Sequence, residues 1–175
     1  MLIKLKQFIF LVFLGILTSC SNTTELHYTL TNNRAKVLVM LSPDCPLCKN
    51  YTKDISDLMT IFGDEIAFYG VVSGTYYSTL EVDSFLQSYN LPLDIIYDPD
   101  FSLSHQLAAT ITPEVFFIDE NNNILYSGLF DNWLGELGRR RQIVTEYYLS
   151  DALNAYQIGE PIKIPKTKAI GCFIE

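Results

Sequence analysis

Two cysteines separated by two residues are the part of this chain best suited to chemistry. They stand in Ser42-Pro43-Asp44-Cys45-Pro46-Leu47-Cys48, after the apolar run Val37-Leu38-Val39-Met40-Leu41 and before a stretch of helical character, Lys49 to Phe62. The pair therefore falls where a strand gives way to a helix. With Cys45 at the N-cap, Pro46 takes the first helical position, where its missing N–H costs nothing and its fixed φ suits the turn. Cys48 then lies one turn on and on the same face, close enough to bridge to Cys45 with little backbone movement. A thiolate, rather than a thiol, attacks disulfides and peroxides. The unpaired N–H groups and positive dipole end of a helix N-terminus favour that charge. The spacing assigns Cys45, the outer sulfur, as nucleophile and Cys48, a turn deeper, as the thiol that resolves a mixed disulfide. A structural disulfide or half of a zinc site would use the same residues. A four-cysteine zinc site needs a second ligand pair, however, and the chain has no second CxxC and no HxxxH. Asp44, next to Cys45, is expected to disfavour the thiolate and leave Cys45 a weaker acid than the helix end alone would make it.

The elements that must hold this pair follow from the hydrophobic pattern. Val37 to Leu41 reads as a central strand buried on both faces. The following helix carries Ile55, Leu58, Met59 and Phe62 on one stripe and stops at Gly63. Leu26 to Leu30 suggests a short first strand, with a turn at Thr31 to Lys36. Ile66 to Val72 is a further strand, broken by Ser73-Gly74. Leu80 to Tyr89 fits a helix anchored by Leu80, Phe85 and Leu86. Ile95 to Tyr97 is a short strand, Asp98 to Asp100 a turn and Phe101 to Ala109 a short helix. Val115 to Asp119 and Ile124 to Ser127 form a hairpin about Asn121-Asn122-Asn123. A last helix is expected within Gly135 to Ala155, with Val144, Tyr147, Tyr148 and Leu149 inward and Arg139-Arg140-Arg141 on its solvated face. Alternating strands and helices followed by a hairpin give an α/β fold, with a mixed sheet of four or five strands and helices on both faces.

The chain has 175 residues, 49% of them hydrophobic, which is enough for one domain with a real core. Twenty acidic residues against twelve basic ones, with no basic patch, argue against nucleic acid as a partner. Residues 1–19 read as a signal peptide: Lys4 and Lys6, the apolar run Phe8 to Leu17, then small residues. That run is too short to span a bilayer comfortably. Leu17-Thr18-Ser19-Cys20 resembles the lipobox of bacterial lipoproteins, which implies cleavage before Cys20 and lipidation of its thiol. Loss of the signal leaves ten basic and twenty acidic residues, a net charge of −10. Such a surface does not adhere to anionic lipid, so the acyl chains must supply attachment. Residues 20–25 form the lipidated tether, 26–160 the domain and 161–175 a tail expected to pack on it. The expected location is the bacterial cell envelope, facing the periplasm or exterior.

Four cysteines are thereby sorted: Cys20 to lipid, Cys45 and Cys48 to each other, and Cys172 left over. Cys172 lies in Ala169-Ile170-Gly171-Cys172-Phe173-Ile174, an apolar stretch ending a polar tail. It is either an inert packed thiol or a third redox thiol that reaches the pair.

A CxxC between strand and helix, followed by Thr112-Pro113-Glu114-Val115-Phe116-Phe117-Ile118-Asp119, resembles the thioredoxin-like superfamily and, within it, the redoxin branch of AhpC/TSA proteins and membrane-attached thiol-disulfide oxidoreductases. The resemblance covers most of Leu26 to Ala155. It implies a three-layer thioredoxin-like sandwich and a cis Pro113 whose loop faces Cys45. It also implies that Thr112 offers backbone hydrogen bonds to a substrate peptide. A Gly-Cys pair in the tail, here Gly171-Cys172, is similar to one found in redoxin proteins. Two departures stand out. The thioredoxin motif has Trp before its first cysteine and Gly-Pro between the pair, where this chain has Asp44 and Pro46-Leu47. The peroxiredoxin pattern Pro-x-x-x-Thr-x-x-Cys falls on Leu38, Ser42 and Cys45, so its Pro is missing and Ser replaces its Thr.

Three functions compete at this point. The first is a lipid-anchored thiol-disulfide oxidoreductase that reduces disulfides in exported proteins or peptides, such as apocytochromes or metallochaperones, with electrons from a membrane-bound donor and no cofactor beyond its thiols. The second is a thiol peroxidase using Cys45. The third is a copper-handling protein, since two thiolates suit Cu(I), with His105 or Cys172 as a third ligand. His27 reads as structural.

Overall fold

The computed structural model describes residues 34–136 and 138–174. The signal peptide, Cys20, the tether, His27 and the expected strand Leu26 to Leu30 lie outside the described residues. Among those described, no helix is long and apolar enough to cross a membrane.

Strand β1 (Lys36–Met40) is buried along its whole length, as its unbroken apolar run requires. It pairs in parallel with β2 (Ala67–Ser73), with Val39 opposite Gly70. On its other side it pairs antiparallel with β5 (Glu114–Ile118), with Val39 opposite Val115. Strand β3 (Asp94–Asp98) extends the parallel side, and β6 (Ile124–Gly128) returns from β5 as a hairpin partner. The mixed sheet runs β3-β2-β1-β5-β6. Asn122, at φ 65°, makes the hairpin turn, and the Asp119 carboxylate accepts from the Asn121 and Asn123 backbone.

Alternate residues of β1 serve opposite layers. Val37 and Val39 join Ile55 and Phe62 of helix α1 (Pro46–Phe62), Val82 and Phe85 of α2 (Thr79–Ser88), and Leu149 and Leu153 of α4 (Tyr148–Gln157). Leu38 and Met40 face the other layer, where Leu103 and Leu107 of the short α3 (Ser102–Leu107) cover them. Helices thus cover both faces, three against one. Asp98, fully buried, anchors α3 by accepting from the Leu103 and Ser104 backbone and from the Ser104 hydroxyl.

Several local expectations are corrected. Leu80 is exposed on α2, and Val82 takes its inward place. The helix is set by Ser78 and Glu81, which cap it reciprocally. The last helix begins only at Tyr148. Before it stands a ribbon of β7 (Leu134–Glu136) and β8 (Arg139–Arg140), turned through Gly138 at φ 81°. Glycines at 135 and 138 favour that turn over a helix. The arginines therefore lie on a ribbon, with Arg140 4.9 Å over the Trp133 ring. Tyr147 is exposed, while Leu149 is buried.

The tail runs back over the domain. The Ser127 amide donates to the Pro165 carbonyl and the Thr167 amide to the Ser127 carbonyl. The Thr167 hydroxyl accepts from the Leu129 amide and pairs with the Tyr126 phenol at 2.8 Å. The tail ends as β9 (Cys172–Phe173), antiparallel to the two-residue β4 (Ile111–Thr112).

Candidate active site

The site is assembled by three neighbouring pieces of chain: the N-terminus of α1, the loop before β5 and the C-terminal tail. Cys45 is the N-cap of α1 in extended conformation, with Pro46 opening the helix. No side chain caps that end, so its N–H groups remain directed at the Cys45 region. Cys48 sits one turn in and is wholly buried. The peptide bond between Thr112 and Pro113 is cis, and the Thr112 carbonyl lies 3.4 Å from the Cys45 sulfur. In the tail, Cys172 stands opposite Thr112 in the β4–β9 register and lines the same cleft as Cys45.

Cys45 is drawn down to about 5. The hydrogen bond from Cys48 is the main cause. Burial opposes it, and the Cys172 thiol, the Cys48 backbone and Thr112 add to the lowering. Burial, then the bond to Cys45, drives Cys48 well above its ordinary value. Cys172 is pushed up to about 12, first by burial and then by Cys45. The negative charge is thus favoured on Cys45 and disfavoured on Cys48 and Cys172. The Thr112 hydroxyl is buried without a partner among the described residues, and its presence favours the charged form of both Cys45 and Cys48. Protonated Cys45 donates to the Thr112 carbonyl; ionised, it accepts from the surrounding donors instead.

One expectation about this site is corrected. Cys45 is not a weakened acid. Asp44 is exposed to water and accepts from the Tyr77 phenol, and it is not among the leading causes of the shift of Cys45. Cys45 is well covered at 2% exposure, but it lines the cleft and Cys48 does not, so it is the outer of the two sulfurs. Access is through a cleft of about 310 Å³, lined among others by Ser42, Asp44, Cys45, Tyr76, Tyr77 and Cys172. Tyr76, Tyr77 and the Thr112 hydroxyl were not singled out by sequence reasoning. An aromatic pair after a strand carries no chemical signature of its own. The β4 edge, where a substrate peptide was expected against Thr112, is occupied by the chain's own tail.

His105 is exposed on α3, its ring 6.2 Å from that of Phe101, and does not line the cleft. Among the described residues no group of three or more His, Cys, Asp or Glu side chains is arranged to hold a metal ion. His105 is therefore not placed beside the pair as a copper ligand.

Comparison with solved structures bears out the fold. An uncharacterized conserved protein from Geobacillus kaustophilus is similar at TM-score 0.71 and 21% identity, over 82% of this chain and 77% of that one. A hypothetical protein from Sinorhizobium meliloti 1021 is similar at TM-score 0.70 and 21% identity, over 81% and 79%. A structure described as MTB dsbF in its mixed oxidized and reduced forms is similar at TM-score 0.53 and 18% identity, over 70% and 81%. At these identities the likeness is one of fold, and the fold is thioredoxin-like. No curated protein matches the sequence. The model of the AhpC/TSA family matches residues 18–127, more than half of the sequence and all of the cysteine pair, the cis-proline loop and the central strands, and the chain belongs to that family.

Proposed function

We propose that the protein is a thiol-disulfide oxidoreductase, lipid-anchored in the bacterial cell envelope, with Cys45 as nucleophile and Cys48 as resolving thiol. The observation behind this reading is the placement of Cys45 at the N-cap of α1, with Cys48 one turn in and the cis Thr112-Pro113 loop against the Cys45 sulfur. With its pKa drawn down to about 5, chiefly by Cys48, Cys45 attacks as the thiolate at neutral pH, while burial holds Cys48 as the thiol. Cys45 attacks a substrate disulfide R–S–S–R′, forming Cys45–S–R and releasing R′–S⁻. Cys48, on losing its proton, attacks the Cys45 sulfur, closes the Cys45–Cys48 disulfide and releases R–S⁻. The substrate gains two electrons, which a membrane-bound donor returns to the pair. Thr112 and Pro113 frame the approach to Cys45.

The substrates are disulfide-bearing exported proteins or peptides. Exposure to that compartment rests on Lys4, Lys6, the apolar run and Leu17-Thr18-Ser19-Cys20, which resemble a lipoprotein signal. Replacement of Cys20 by Ala should release the protein from membranes, and retention through a salt wash would defeat the anchor.

The decisive assay runs insulin-disulfide reduction beside hydroperoxide reduction, for the native chain and for Cys45→Ser. Disulfide reduction that disappears in Cys45→Ser supports the reading. Peroxide consumed faster than disulfide would move the assignment to a thiol peroxidase.

A further inference from the structure

The third thiol is held in place by construction. The tail reaches the cis-proline loop as a paired strand: Thr112 lies opposite Cys172, Ile111 opposite Phe173, and the Ile174 amide donates to the Thr110 carbonyl at 3.0 Å. This close approach depends on Gly171, because a Cβ there would lie 2.1 Å from the Thr112 carbonyl oxygen. Thr167 fixes the same tail further back, through the Leu129 amide and the Tyr126 phenol. Cys172 is thereby held opposite Thr112, whose carbonyl lies 3.4 Å from the Cys45 sulfur, and both cysteines line the same cleft.

We propose that Cys172 is a second resolving thiol for Cys45, delivered by the tail strand in the manner of a tethered substrate. The inference rests on the reading of Cys45 as the attacking thiolate. After Cys45 has formed Cys45–S–R and released R′–S⁻, Cys172 gives up its proton and its sulfur attacks the Cys45 sulfur. The Cys45–Cys172 bond forms, the Cys45–S–R bond breaks, and R–S⁻ leaves and takes up a proton. Two protein thiols have been oxidised and one substrate disulfide reduced. Cys48 can then attack Cys45, forming Cys45–Cys48 and returning Cys172 as a thiol, with no net change in oxidation.

Geometry favours this route over direct resolution by Cys48. Cys48 is sealed beneath Cys45 at 0% exposure, whereas Cys172 is only partly buried and lines the cleft through which R–S⁻ must leave. Once Cys45 is tied up in a disulfide, its charge no longer opposes ionisation of Cys172. The docked tail also occupies the edge of β4, so a small disulfide entering by the cleft meets no strand in its way, whereas a polypeptide must first lift the tail.

The test counts leaving groups. The reduced full chain, carrying Cys20→Ser so that no fourth thiol interferes, is mixed anaerobically with one equivalent of 5,5′-dithiobis(2-nitrobenzoate). In Cys48→Ser, thionitrobenzoate release should reach two per chain, with a Cys45–Cys172 disulfide on peptide mapping. Cys48→Ser with Cys172→Ser should release one and keep the adduct on Cys45. Cys48→Ala should behave as Cys48→Ser does, which guards against a folding defect peculiar to one variant. Adding Gly171→Ala to Cys48→Ser should slow the second release by about tenfold or more, since it displaces the tail while sparing every remaining thiol. A stable Cys45 adduct in Cys48→Ser, with one leaving group released, overturns the inference and leaves the reading of Cys45 intact. No release from any variant that retains Cys45 overturns both.

Discussion

Replacing Thr112 by Val should raise the pKa of Cys45 by about one unit. Val has nearly the shape of Thr without its hydroxyl, and that hydroxyl is buried with no partner in the described structure. Its removal should cost the fold little, within about 1 kcal/mol, because no existing bond is broken. It does remove a donor available to the Cys45 thiolate. A hydrogen bond to a charged group contributes about 1.5–3 kcal/mol. Thr112 contributes less to the acidity of Cys45 than Cys48 or Cys172 does, so the lower end applies. At about 1.4 kcal/mol per pKa unit, that is a rise of roughly one unit. The assay is the pH dependence of iodoacetamide alkylation at Cys45, followed by peptide mass spectrometry. The native chain should show half-maximal reactivity near pH 5, where the thiolate forms. The variant should show it about one unit higher. Urea unfolding of both proteins checks that stability is retained. An unchanged midpoint in a folded variant would show that the hydroxyl is not directed at the thiolate, and the account of the site would lose one of its donors.

Other outcomes follow from the same geometry. Cys48→Ala should raise the Cys45 pKa further than Thr112→Val, and Cys48→Ser, which keeps a donor, should raise it less than Cys48→Ala; the same alkylation profile decides the order. Asp98→Asn should destabilise the domain by about 2–3 kcal/mol at neutral pH, because the bonds from Ser104 and Leu103 outweigh the upward push of burial and hold the carboxyl below its ordinary value. A lowered folded value means this stabilisation is complete above the unfolded pKa of about 3.9 and is lost as pH falls through the folded one, so urea midpoints of variant and native chain should converge in acid. Thr167→Val leaves the Leu129 amide without its partner, which should cost about 1–2 kcal/mol and make the tail after Gly159 cleavable in limited proteolysis.

Much of this protein is determined locally and can be read without coordinates. The order of strands and helices follows from hydrophobic periodicity, which a backbone buried on one or two faces imposes directly. The place of Cys45 at a helix start follows from Pro46, and the reciprocal spacing of the thiols from the helical turn. The cis form of Pro113 was legible only through resemblance to a family, since its local sequence fits a trans bond equally well. What tertiary structure alone decided concerns residues far apart in the chain. Cys45 was expected to owe its acidity to the helix end and to be weakened by its neighbour Asp44, yet Cys48, Cys172 and Thr112 are the groups that lower it, the last two 127 and 67 positions away. Asp44 is adjacent in sequence but directed into water and held by Tyr77, so its charge is screened. The segment around the three arginines reads as helix on periodicity, but glycines at 135 and 138 turn it into a ribbon. Strand pairing between β4 and the tail needs no pattern beyond two residues and a glycine that permits close approach. A contact that short leaves almost no imprint on the sequence, yet it brings the third sulfur to the first.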